Sequence, residues 1–82
     1  MKAAFYMLEV ELTCDPNASF KKRMEARTEN ERRAKAVRDH LKARGHKYAG
    51  RVNAFATRAE AEQAIIQMGF PYKINICEAF WL

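Results

Sequence analysis

Residues 20–44 read FKKRMEARTENERRAKAVRDHLKAR, and where this run is divided decides the fold. Taken whole, it is one long helix. Two features argue for a break at Thr28. Thr28-Glu29-Asn30-Glu31 has the form of a capping box: the Thr28 hydroxyl accepts the backbone N–H of Glu31, and the Glu31 carboxylate reaches back to the N–H of Thr28. Upstream, Phe20, Lys22, Met24 and Ala26 alternate with Lys21, Arg23, Glu25 and Arg27, the period of a strand with one charged face. The run therefore predicts a strand at 20–27 and a helix at 29–44. Asn30, Ala34, Val37 and Leu41 form the buried seam of that helix, and Gly45 lies just past its end.

Working outward, Ala3 to Leu12 alternates as a first strand, with Ala4, Tyr6, Leu8, Val10 and Leu12 on one face. Asp15-Pro16-Asn17 is a turn signal. A third strand is expected from Tyr48 to Ala56. A second Thr-x-x-Glu box at Thr57-Arg58-Ala59-Glu60 then opens a helix with Ala61, Ala64, Ile65 and Met68 as its stripe. Gly69 ends that helix, and Pro71 prevents its resumption. Tyr72 to Leu82 reads as the last strand, with Tyr72, Ile74 and Ile76 on one face and Lys73, Asn75 and Cys77 on the other. The order is β-β-α-β-α-β. The expected fold is a single α+β domain over residues 1–82, a mixed four-stranded sheet with two helices packed on it.

The composition is that of a globular chain: 49% hydrophobic and 30% charged over 82 residues. The net charge of +5 is unevenly placed. Residues 21–51 hold twelve basic and four acidic side chains, a net +8, and the remainder holds three against six, a net −3. Arg27, Arg32, Lys35, Arg38 and Lys42 recur at helical spacing as a basic flank. That flank suits an acidic partner, either nucleic acid or the acidic surface of a protein or ribonucleoprotein complex. A solvated face that aids solubility is the plain alternative. Apolar residues are also in surplus: Phe5, Met7, Ile66 and Trp81 fall off the core stripes. They suit a partner contact or a homodimer, or else helices on both faces of the sheet. No stretch approaches the roughly 20 apolar residues of a membrane span, and no leader pattern opens the chain. The expected compartment is the cytoplasm, where Cys14 and Cys77 stay reduced.

Chemistry is sparse. His40, His46, Cys14 and Cys77 show no metal-ligand spacing, so no metal and no cofactor are expected, and both histidines read as solvent-facing. Ser19 has no nucleophile-elbow context, and three glycines form no phosphate-cradling loop. Glu29 with Glu31, and Glu60 with Glu62, read as capping and first-turn acids. The chain reads as a non-enzyme.

The opening Met1-Lys2-Ala3-Ala4-Phe5-Tyr6-Met7-Leu8-Glu9-Val10, followed by Met24-Glu25-Ala26-Arg27-Thr28 and Ala34-Lys35-Ala36, resembles the layout of small phage-encoded type I anti-CRISPR proteins. The resemblance covers about the first half of the chain and involves no catalytic motif. It implies a compact α/β inhibitor, from a phage or other mobile element, that docks on a ribonucleoprotein surveillance complex. A second likeness, over Arg51 to Glu62, is to the third strand and second helix of the SPOR domain, which implies peptidoglycan binding in an exported protein.

Overall fold

The computed structural model describes residues 4–12 and 15–81; Ala3, Cys14 and Leu82, which the sequence reading used, lie outside them. The elements are β1 (Phe5–Val10), α1 (Phe20–Ala43), β2 (Ala54–Phe55), α2 (Arg58–Met68) and β3 (Ile74–Ala79). They form a three-stranded sheet in the order β2-β1-β3, with every pair antiparallel. Both helices contribute to a single core cluster on one face of it.

This corrects the expected four-stranded mixed sheet. Residues 20–27 are not a strand; α1 runs unbroken for 24 residues. Its N-cap is Ser19, whose hydroxyl accepts the backbone N–H of Lys22 at 3.3 Å. Thr28 caps nothing. Its hydroxyl donates to the carbonyl of Met24 at 3.1 Å, the ordinary bond of a threonine inside a helix. The approach to the cap is an Asx turn, in which Asn17 N–H donates to the Asp15 carboxylate at 2.9 Å. At the other end Gly45, at φ 71°, closes a Schellman motif: His46 N–H donates to Leu41 C=O at 3.0 Å and Gly45 N–H to Lys42 C=O at 2.9 Å.

The second helix follows its sequence signals. Thr57 accepts the N–H of Glu60 at 3.2 Å, and Gly69 sits at φ 61° beyond Met68. Ala61 and Met68 are buried, and Ala64 and Ile65 pack against the core. The third expected strand is much shorter than Tyr48 to Ala56. Tyr48 and Arg51 instead exchange two backbone bonds around a tight turn, with both Ala49 (φ 55°) and Gly50 (φ 75°) in the left-handed region. Only Ala54 and Phe55 remain to pair with Met7 and Tyr6.

The core lies between the sheet face carrying Tyr6, Leu8, Val10, Phe55, Ile74 and Ile76 and the helix residues Ala34, Val37, Leu41, Ala61 and Met68. Leu12, assigned to that face by alternation, is 73% exposed because β1 has already ended at Val10. Element lengths explain α1's position. Twenty-four helical residues span about 36 Å, whereas a six-residue strand spans about 20 Å. Because α1 first meets the core at Ala34 and buries only Val37 and Leu41, it is its N-terminal part that overhangs the sheet.

Two outcomes test these assignments by chemical denaturation. Ser19→Ala should cost about 1 kcal/mol through the lost cap, while Thr28→Ala should be neutral or slightly stabilising. Ala49→Gly should stabilise the fold by up to about 1 kcal/mol, because it relieves a left-handed alanine.

Candidate interaction surface

Helix α1 has nine basic and four acidic residues, a net +5 equal to that of the whole chain. Three of those acids, Glu29, Glu31 and Asp39, zip the helix from Arg27 to Asp39 into ion pairs. Arg27 meets Glu31 at 3.3 Å, Arg32 and Arg33 share Glu29 at 2.7 and 3.2 Å, and Lys35 meets Asp39 at 2.7 Å. All are i,i+3 or i,i+4 pairs, and those on open surface, every one but the part-buried Arg33–Glu29, are worth a few tenths of a kcal/mol each. The Arg32 hydrogen bond, reinforced by Arg33, holds the Glu29 carboxyl below its usual range, and the Lys35 hydrogen bond does the same for Asp39.

The basic flank read from the sequence is thus divided. Arg27, Arg32 and Lys35 are engaged along the helix, whereas Arg38 and Lys42 enter no ion pair among the described residues. Nor do all five share one side. Arg32 lines a hollow with Phe70 and Tyr72, where Arg33 also lies over the Tyr72 ring at 5.2 Å. Arg38 lines a different groove, with Glu9, Asn53 and Leu8.

Sequence reasoning missed the front of the helix. With 20–27 read as a strand, Lys21, Lys22 and Arg23 were merely one part of a charged face. In the helix they occupy the first turn, with no acid among them. There they face the positive end of the helix dipole, an arrangement that costs stability. None of the three enters an ion pair among the described residues. Beside them Leu12, Phe20 and Met24 are exposed, at 73, 71 and 44%. Leu12 also closes an apolar groove of about 370 Å³ against Arg23, Ala26, Arg27 and Asn30. The signal that could have found this cluster was Ser19, a good N-cap residue directly before Phe20.

The apolar residues singled out in the sequence are also dispersed. Phe5 is buried, at 5% exposure, because Trp81 covers it with ring centroids 5.2 Å apart; Trp81 itself is 64% exposed. Met7, half-buried, sits opposite Cys77 on the face of the sheet away from the helices. Ile66 is 69% exposed on α2, on the other side of the molecule. The helices do not straddle the sheet.

Both histidines are half-buried rather than solvent-facing. His46 stacks on Phe55 at 4.2 Å, and its Nε2–H donates to the Ala54 carbonyl. His40 meets the edge of Phe70 at 6.0 Å. Together they line an open groove of about 500 Å³ between α1 and α2, where Arg44 donates to Gln67 at 2.8 Å. The Cys77 thiol donates to Glu9 at 3.3 Å; desolvation and that carboxylate push its pKa up, away from the reactive thiolate. Ser19 is occupied as a cap. Among the described residues, no three His, Cys, Asp or Glu side chains gather as a metal site.

No protein-family model, curated protein or solved structure matches the chain. Among the described residues, no helix is long and apolar enough to cross a membrane.

The ion-paired middle of α1 gives a direct test. In an NMR titration, Glu29 should protonate at lower pH than an ordinary glutamate. Whatever stability its pairs add is therefore present at neutral pH and lost as pH falls through that depressed value. Arg32→Gln should return the Glu29 midpoint toward the ordinary range.

Proposed function

We propose that this chain is a non-enzymatic binding protein that docks through the overhanging, cationic front of α1 on an acidic surface of a nucleic-acid-handling or ribonucleoprotein complex. In this reading it is an anti-CRISPR-like inhibitor or adaptor from a phage or mobile element. The observation that carries it is the first turn of α1: Lys21, Lys22 and Arg23, with no acid in that turn and set against the helix dipole, next to exposed Leu12, Phe20 and Met24. A helix shaped by stability alone favours Asp or Glu there. An acidic partner with an apolar groove would neutralise the cations and cover the three side chains together. A two-residue β2 gives less support to the SPOR-like reading, which rests on a full strand before α2.

The second reading is sequence-independent nucleic-acid binding. It is favoured by the cations that continue past the helix, from Arg38 and Lys42 through Arg44, Lys47 and Arg51. Phosphate contact alone leaves Met24 and Leu12 without a role, which ranks it second.

The triple variant Lys21→Glu, Lys22→Glu, Arg23→Glu separates function from folding. Reversing the charges should raise fold stability by about 0.3–1 kcal/mol per residue, since acids suit a helix N-terminus. Binding to the partner should fall steeply, and its salt dependence should flatten. A partner retained from host lysate after nuclease treatment, and lost by this variant, fits a protein surface. Tight, strongly salt-dependent binding of arbitrary oligonucleotides instead supports the second reading. If the variant binds its partner as tightly as wild type, the front of α1 is not the contact.

A further inference from the structure

The two edges of the sheet are finished differently. On the β2 side the edge strand is two residues long, and the chain before it is folded into the Tyr48–Arg51 turn. On the other side, β3 presents six residues with no backbone bond along its outer edge among the described residues. Its inner register is fixed: Glu11 N–H donates to Lys73 C=O, and Val10 to Phe5 pair with Ile74 to Ala79. Antiparallel ladders alternate, so Lys73, Asn75, Cys77 and Ala79 bond inward to β1. The N–H and C=O groups of Ile74, Ile76 and Glu78 therefore point away from the sheet. An open edge of this kind accepts another strand unless proline, lysine or a bulge blocks it. Between Ile74 and Ala79 there is no proline and no lysine, and the single charge is Glu78.

We propose that β3 pairs antiparallel with β3 of a second copy, about a two-fold axis at Ile76. This joins two sheets into one of six strands, with all four helices on the same face. In this register Ile76 lies opposite Ile76 of the second copy, and Ile74 opposite its Glu78. The two Glu78 side chains are then about 13 Å apart along the strands, beyond the screening length at physiological salt. A parallel pairing would instead stack Glu78 on Glu78. One step past the strand, the register brings Phe80, 39% exposed, opposite Tyr72 of the second copy. Tyr72 is already stacked on Phe70 at 5.1 Å and 12°, which makes a ready platform for a third ring. A second copy thus satisfies the open backbone edge and covers more of an aromatic that stays 39% exposed in one copy. Closure by a two-fold axis also uses up the edge, so assembly stops at two.

Sedimentation of the full chain between about 10 and 200 µM tests this, because a dimer responds to concentration by mass action. The expected species is twice the 9.5 kDa of one chain. The amide of Ile76 should exchange at least tenfold more slowly at the high end of that range than at the low end. Glu78→Pro removes an outward N–H while touching no inward bond, and should give a monomer with an unchanged circular dichroism spectrum. Where that variant fails to fold, Phe80→Ala serves, and should shift the dimer toward monomer. A wild-type chain that sediments as monomer throughout overturns the proposal. So does a dimer that persists in both variants with Ile76 exchanging freely.

Discussion

Everything in this fold is hung on β1. Phe5–Val10 pairs on one side with Ile74–Ala79 and on the other with Ala54–Phe55, and its Leu8 and Val10 sit beneath Val37 and Leu41 of α1. Tyr6, on the same face, reaches the cluster that includes Ala61 and Met68 of α2. Leu8 is 3% exposed at the centre of this arrangement. Truncating a leucine so placed costs about 2–5 kcal/mol, a large share of what an 82-residue domain has in hand. The alternation Tyr6-Met7-Leu8-Glu9-Val10 is thus both the template of the sheet and the floor of the core.

That strand was legible because its pattern is paid out in burial: period two in sequence became core side and outer side in space. The seam Ala34-Val37-Leu41 and the stripe Ala61-Ala64-Ile65-Met68 were legible for the same reason. The front of α1 was not. Between Phe20 and Glu29 no residue of the helix is buried in the core, so this part carries no 3.6-residue apolar stripe. What remains there is a chance alternation of Phe20, Lys22, Met24 and Ala26 that imitates a strand. Thr28 and Glu31 also have the right letters for a cap, but a threonine hydroxyl that can bond the carbonyl four residues back has no need to end a helix. Ser19 is the less conspicuous signal and the true one.

The surface was legible as charge but not as geometry. Counting basic residues between 21 and 51 identified α1 as the cationic element. It could not show that Glu29, Glu31 and Asp39 neutralise the middle, because that depends on which rotamers meet across one helical turn. Nor could it separate Arg32 from Arg38, which line hollows on different sides of the same helix. The shortness of β2 was hidden by Ala49. Alanine disfavours the left-handed backbone that the Tyr48–Arg51 turn requires, so the sequence there lacks the Asn-Gly or Asp-Gly mark of a tight hairpin.

The pairing of β1 with β3 has a consequence for the order of events in folding. Phe5 meets Ala79 across 74 positions and Val10 meets Ile74 across 64. Such contacts carry a high loop-closure cost and come late, after local structure has formed. On the ribosome, β1 emerges first and waits, an apolar strand without its long neighbour, while α1 and α2 are made. Its edge toward β3 stays unpaired until residues 74–79 have left the exit tunnel. During that interval the helices, rather than the sheet, are the chain's means of shielding Tyr6, Leu8 and Val10 from other nascent chains.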